Sequence, residues 1–295
     1  MVEQQLIGQT INGYVVGETI GAGGMGWVYR GAEAETGAPV AIKIMQPSFA
    51  QDASFRTRFL REAELMIALR HPHIIPVYSY GEWSGYLYIV MHLVRGPSLE
   101  RIIPHHRFTP LTAWQIVRPV TDALGFGHRH HVLHRDLKTG NILLERRGEG
   151  NHVFLTDFGL GKRPGQDMTI TASGVSVGTP EYMAPEVAMG TRADHRADLY
   201  SLGVVLYELL LGRLPFQGKN AQMTALAHVD EPVPRPRLIH PQFPRRLETL
   251  LLRALDKDPA NRFQSAEEIQ RAYYDAVKLM DNDTRRTCYW NTPAR

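Results

Sequence analysis

Apolar positions change their spacing partway along the chain. Up to about Gly96 they fall in short runs broken by turn residues, and beyond it they recur at helical intervals. Tyr14 to Ile20 predicts a strand, Gly21 to Gly26 a glycine loop, and Trp27 to Tyr29 the resumption of a strand. Glu35-Thr36-Gly37 predicts a hairpin turn ahead of a strand from Pro39 to Met45. Phe55, Phe59, Ala63, Met66 and Leu69 share one face of a helix predicted over Phe55 to Leu69. Ile74 to Tyr80 and Tyr86 to Met91 read as two further strands. Ser98 to Ile103, Leu111 to His128, Ala197 to Leu211, Arg245 to Ala254 and Ala266 to Met280 then show helical period. Short strand-and-loop segments, Val132 to Leu144 and Val153 to Phe158, lie between them. The pattern predicts a small, sheet-rich lobe with one helix, followed by a larger helical region. Proline-rich Glu231 to Pro244 reads as a packed loop, and the polar stretch Asp281 to Arg295 as a fraying tail.

Composition narrows the class. Hydrophobic residues make up 43% and charged residues 21%, as in folded soluble proteins. With 33 Lys+Arg against 30 Asp+Glu the net charge is +3, too small a footprint to favour nucleic acid as a partner. The single cysteine, Cys288, cannot form an intramolecular disulfide, which argues against a secreted, disulfide-stapled protein. The longest apolar-looking stretch, Leu202 to Leu211, is interrupted by Glu208 and falls short of the roughly 18 residues of a spanning helix. Met1 to Gly8 has no basic region followed by an apolar run. The expectation is a cytoplasmic protein with no membrane segment in this chain.

The candidate chemistry begins at Gly21-Ala22-Gly23-Gly24-Met25-Gly26-Trp27-Val28, a G-x-G-x-x-G-x-V pattern. Its glycines let backbone N–H groups approach phosphate oxygens. A dinucleotide-binding turn uses the same glycines but leads into a helix, whereas Trp27-Val28-Tyr29 continues as a strand. A glycine-rich hairpin without a ligand is the blander alternative. Lys43, on the strand that follows, shares a side with Ala41 and Met45 and could reach phosphate along an apolar wall; alone it would read as a solvated lysine. Glu62 lies between Phe59 and Met66 at the edge of the helix's apolar face and is a candidate counter-charge. Glu64 competes but is rotated roughly 200° away. In His134-Arg135-Asp136-Leu137-Lys138-Thr139-Gly140-Asn141, Asp136 can take a hydroxyl proton, Lys138 can neutralise a phosphoryl group, and Asn141 can ligate a hard cation. Asp157-Phe158-Gly159 adds a second oxygen ligand.

Together these motifs resemble the eukaryotic-type (Hanks-type) protein kinase catalytic domain, in its bacterial Ser/Thr branch. The resemblance covers about residues 14–280 and implies an α+β, bilobal kinase fold with the active site in the cleft. The N-lobe is expected over about 14–91 as a small antiparallel sheet with one main helix, the hinge over 92–96, and the mostly helical C-lobe over 97–280, before a tail at 281–295. It implies an ATP-dependent protein Ser/Thr kinase that uses Mg²⁺, with Mn²⁺ as a substitute. Asp136, Lys138, Lys43 and Glu62 would be catalytic, and Asn141 and Asp157 the metal ligands. Ile20, Gly21, Gly23, Gly24, Gly26, Val28, Ala41, Lys43, Met91, His92, Val94 and Leu143 would line the ATP site. Thr139 departs from the proline usual after the loop lysine, and His92 from a frequent acidic residue.

The same resemblance implies autophosphorylation on the segment Asp157 to Glu186, at Thr171 and Ser173, with Arg135 and Lys162 as the phosphate pocket. Thr169 and Ser176 read as ordinary loop polarity. Thr179 would face the substrate and Asp136. Glu186 and Arg262 would form a buried ion pair, and Asp198 would brace the catalytic loop. The implied partners are protein substrates and a second copy of the chain, paired through the N-lobe for trans-autophosphorylation. The implied location is the cytoplasm, either free or as the cytoplasmic catalytic part of a longer receptor. His128, His130, His131 and His134 cluster without a thiolate and read as structural rather than as a zinc site. Two other classes compete: a pseudokinase, disfavoured because Lys43, Asp136, Asn141 and Asp157 are all present, and a small-molecule phosphotransferase, disfavoured by Ala184-Pro185-Glu186.

Overall fold

The computed structural model describes residues 2–148, 150–159 and 179–290. The chain forms two compact units, Met1–Gly96 and Pro97–Arg295. In the first, a short helix α1 (Val2–Gln5) precedes β1 (Thr10–Ile11), β2 (Tyr14–Gly23), β3 (Gly26–Glu33) and β4 (Pro39–Met45). Helices α2 (Pro47–Gln51) and α3 (Ala53–Ala68) follow, then β5 (Val77–Trp83) and β6 (Tyr86–His92). The six strands make one antiparallel sheet in the order β1-β2-β3-β4-β6-β5. Ile11, Val16, Tyr29, Val40, Ile42, Ile44, Tyr88 and Val90 bury an apolar cluster with Leu6. The period-two rule puts the intervening residues of β3, β4 and β6 on the opposite face.

Asp52 starts α3, its carboxylate accepting from the Ser54 and Phe55 amides at 2.8 and 3.0 Å. Phe55, Phe59, Ala63 and Met66 are buried along it, as the spacing predicts, and Leu69 just past its end is buried as well. Each large side chain so buried contributes about 1.5–3 kcal/mol. The strand predicted from Ile74 begins only at Val77. Pro76 has no N–H to give a ladder, and its carbonyl instead accepts from the His92 amide at 2.9 Å. Ile74 and Ile75 are buried as a loop.

The second unit runs α4 (Leu99–Ile102), α5 (Pro110–Arg129), the hairpin β7 (Ile142–Arg147) and β8 (Gly150–Leu155), then α6 (Pro185–Ala188) and α7 (His195–Leu211). It continues through α8 (Ala221–Asp230), α9 (Pro236–Ile239), α10 (Arg245–Ala254), α11 (Ala266–Lys278) and α12 (Asn282–Arg286). Helix α7 is apolar nearly all round and is buried from Leu199 to Leu211 apart from Ser201 and Glu208. Trp114 of α5 stacks on Tyr273 of α11 at 5.8 Å. Helix α9 sits inside the proline-rich stretch read as a loop.

The tail departs from the expectation of fraying as far as Trp290. Tyr289 is buried against Phe243, and the Trp290 indole N–H donates to the Leu209 carbonyl at 2.9 Å. Gly212 ends α7 in the left-handed region (φ 67°), and a Cβ there would lie 2.5 Å from the Trp290 ring. Only glycine combines that turn with that contact.

Candidate active site

In the first unit, strand register gathers the candidate nucleotide residues on one face. Gly21 pairs with Val28, Val28 with Lys43, Lys43 with Ile89, Ala41 with Met91, and Gly23 with Gly26. Directly paired residues share a face, so Gly21, Gly23, Gly26, Val28, Ala41, Lys43 and Met91 lie opposite the Tyr29–Ile42 cluster. Gly24 is in the two-residue turn between β2 and β3, and Ile20 sits at a register shift. Gly26 has φ 152°, and a Cβ on it would come within 2.1 Å of the Ile44 carbonyl oxygen, so glycine is required there. Lys43 and Glu62 are half-buried, whereas Glu64 is exposed. His92 ends β6 and Val94 follows it; Tyr78 OH lies 3.4 Å from the His92 Nδ1.

In the second unit, Asp198 of α7 organises the candidate catalytic loop, residues 134–141. It accepts from the backbone N–H groups of His134 and Arg135, both at 2.8 Å, and lies 2.9 Å from the His128 ring. Burial opposes its charge, but these donors outweigh burial and hold its carboxyl below the usual carboxylate range. The bonds also fix Arg135 in the left-handed region at φ 64°, a conformation that costs a side-chain-bearing residue roughly 1–2 kcal/mol. His134 is buried; its Nδ1 accepts from the Asp136 amide at 3.3 Å and its Nε2 lies 2.9 Å from the Thr156 carbonyl. A carbonyl only accepts, so the proton is on Nε2 and the ring is neutral. Burial pushes its pKa down, which agrees with that tautomer.

This loop carries Asp136 and Lys138 into one cluster with Thr179. The Lys138 ammonium is 3.1 Å from Asp136 Oδ2 and donates to Thr179 Oγ1 at 2.7 Å, and that hydroxyl lies 3.3 Å from Asp136 Oδ1. Asn141 donates its amide N–H to the Asp136 backbone carbonyl at 2.7 Å, which engages the amide nitrogen and not the amide oxygen. Its own carbonyl accepts from the Thr156 amide at 3.0 Å, tying the loop to the strand end before Asp157. Asp157 is half-buried at φ 62°, between buried Thr156 and Phe158. The amide oxygen of Asn141 and the carboxylate of Asp157 are hard donors that suit a divalent cation such as Mg²⁺. Leu143 pairs with Phe154 in the β7–β8 hairpin and bridges to Ser98.

Glu186 and Arg262 form a two-pronged pair at 2.8 Å for each prong, with the arginine side chain fully buried. Arg135 is exposed. Thr171, Ser173 and Lys162 lie outside the described residues, as do Thr169 and Ser176. The clustered histidines serve separate partners: His128 meets Asp198, His130 the Phe126 carbonyl, and His134 the Thr156 carbonyl.

Sequence reasoning missed a layer beneath this site. Thr139 Oγ1 lies 2.8 Å from Tyr182 OH, which donates to Glu208 at 2.5 Å. Buried His228 sits 2.9 Å from both Tyr200 OH and the Glu181 carbonyl. Burial and the neighbouring Lys257 charge lower its pKa to about 4. Glu208 interrupting an apolar helix was the one visible signal.

A family profile described as "Protein kinase domain" matches residues 14–274. Serine/threonine-protein kinase PrkC of Bacillus subtilis is 37% identical over 287 residues, covering 96% of this chain and 43% of that protein. Serine/threonine-protein kinase PknD of Mycobacterium tuberculosis is 35% identical over 95% of this chain and 42% of its own length. For serine/threonine-protein kinase pkn3 of Myxococcus xanthus the values are 38%, 96% and 52%. The chain thus spans about half the length of these relatives. A solved structure of the Mycobacterium tuberculosis PknI kinase domain, a double mutant, superposes with a TM-score of 0.75 at 30% identity, covering 91% of this chain and 97% of that one. With a sheet-rich unit followed by a helical one, the catalytic-loop geometry above and these matches along nearly its whole length, the chain belongs to the protein kinase family, in its bacterial serine/threonine branch.

Proposed function

We propose that this protein transfers the γ-phosphate of ATP to serine and threonine hydroxyls of protein substrates. The observation that carries this reading is the cluster of Asp136, Lys138 and Thr179, in which a hydroxyl already sits between a carboxylate and an ammonium. An acceptor hydroxyl entering there would meet the same pair. Asp136 would orient it and take its proton, and Lys138 would neutralise charge on the phosphoryl group in flight. Lys43 would hold the α- and β-phosphates, steadied by Glu62, beneath the backbone amides of the glycine loop. Val28, Ala41, Met91 and Leu143, with the backbone of His92 and Val94, would hold the adenine.

Asn141 and Asp157 would hold Mg²⁺, or Mn²⁺ in its place, which when bound draws charge from the phosphate oxygens. Most of the rate would come from positioning and charge, with little covalent work by the protein. Thr171 and Ser173 are the proposed sites of autophosphorylation, read by Arg135 and Lys162. Pairing of two copies through the N-lobe would serve trans-autophosphorylation. The need for ATP supports a cytoplasmic location, free or as the catalytic part of a longer receptor. No helix among the described residues is long and apolar enough to cross a membrane.

Transfer from labelled ATP with Mg²⁺ tests the reading, comparing the protein with D136N and mapping modified residues by mass spectrometry. D136N is expected to lower transfer by a factor on the order of 10²–10⁴, with ATP still bound. Label on Thr171 or Ser173, absent in D136N, would support self-activation. ATP binding without transfer to the chain itself or to a basic protein would make it a pseudokinase instead.

A further inference from the structure

One buried chain of hydrogen bonds under the catalytic loop has no part in the chemistry assigned so far. Thr139 is 1% exposed, and its hydroxyl lies 2.8 Å from that of Tyr182. Tyr182 donates to the Glu208 carboxylate at 2.5 Å. A phenol carries a single proton. Since Tyr182 gives it to Glu208, Thr139 must supply the proton of the other bond. The chain runs from Thr139 through Tyr182 to a carboxylate, an order that strengthens each member. The Tyr182 backbone is held as well, its carbonyl accepting from Ser201 of α7 at 2.7 Å.

The neighbour of Thr139 grips the same stretch of chain. Lys138 donates to Thr179 at 2.7 Å, and between Thr179 and the end of Tyr182 runs one 3₁₀ turn, Pro180–Tyr182. Two consecutive loop residues thus hold that turn at both ends, one by an ammonium and one by a hydroxyl. The Thr179 hydroxyl, one residue before that turn, lies 3.3 Å from Asp136 Oδ1. We propose that Thr139 is a positioning residue for phosphoryl transfer: with Lys138 it clamps residues 179–182 to the catalytic loop and so keeps Thr179 against Asp136. The proposal rests on the kinase reading above. Valine or proline at position 139 would fill space there but supply no proton.

Steady-state kinetics of the whole chain on ATP and a serine peptide test the clamp, with sites counted by nucleotide binding and folding followed by thermal melts. T139V is expected to lower kcat about tenfold, the scale of one hydrogen bond to a charge-terminated chain, with the KM for ATP unchanged. T139S should recover most of the loss because it restores the donor. Y182F should reproduce the loss, and T139V/Y182F should be no slower than Y182F alone, since the two hydroxyls act as one unit. A purely structural role would lower the melting temperature and the number of competent sites while leaving turnover per site intact. Parental kcat in T139V, no recovery in T139S, or additive losses in the double variant would each overturn the clamp. Should T139V not fold, Y182F decides: parental kcat there overturns it and a tenfold loss at intact ATP KM supports it. An inactive parent overturns the kinase reading itself, whereas an active parent matched by T139V overturns the clamp alone.

Discussion

Arg262 offers five N–H donors and the structure uses all of them. Two go to Glu186 and the others to the carbonyls of Arg196, Asp256 and Lys257, while the guanidinium stacks over Tyr200 at 4.8 Å. Removing it strands the Glu186 carboxylate in a site with almost no water. R262A is expected to cost about 3–5 kcal/mol in urea unfolding, and R262K should not rescue it, because an ammonium has no fork. Sequence alone selected this pair through motif resemblance. It selected Glu62 over Glu64 by helical phase, in keeping with their half-buried and exposed states. The Thr139–Tyr182–Glu208 chain was not legible, because its members lie far apart in sequence and no local period links them.

At the scale of elements, β4 separates two tasks by alternation. Ile42 and Ile44 face the apolar cluster and are fully buried, whereas Ala41 and Lys43 share the other face with Val28 and Met91. I42A is expected to cost about 2–5 kcal/mol of stability. K43M should abolish transfer while its urea midpoint stays near the parent's; a large fall in that midpoint would count against the division. Helix α3 was legible because it has one buried face and a clean period, whereas β4 and β6, buried on both faces, were legible as short apolar runs bounded by turn residues. Helix α8 was not, since Met223 and Leu226 are exposed on it and blur the apolar stripe. Pro76 moved the start of β5 for a reason the apolar count of Ile74 and Ile75 hides.

For the molecule as a whole, buried histidines add to the loss of stability in acid that the depressed carboxyl of Asp198 also brings. His228 titrates at about 4 when folded and near 6.5 when unfolded. Between those values the unfolded chain binds the extra proton, so stability is complete above about pH 6.5 and falls as pH drops toward 4. The loss from this group is about 3 kcal/mol, and buried His134 acts in the same direction. Burial pushes the Glu208 carboxyl up, which opposes the trend in part. H228Q keeps a donor for Glu181 and an acceptor for Tyr200, so its urea midpoint should vary less with pH across this window; an unchanged slope would remove His228 as the cause. The tail bears on a different matter, that of how far the packing reaches. The family match stops at residue 274, yet the indole of Trp290 closes over the end of α7 at Gly212 and Tyr289 fills a pocket beside Phe243. A boundary drawn at the end of that profile match would therefore cut through packed side chains.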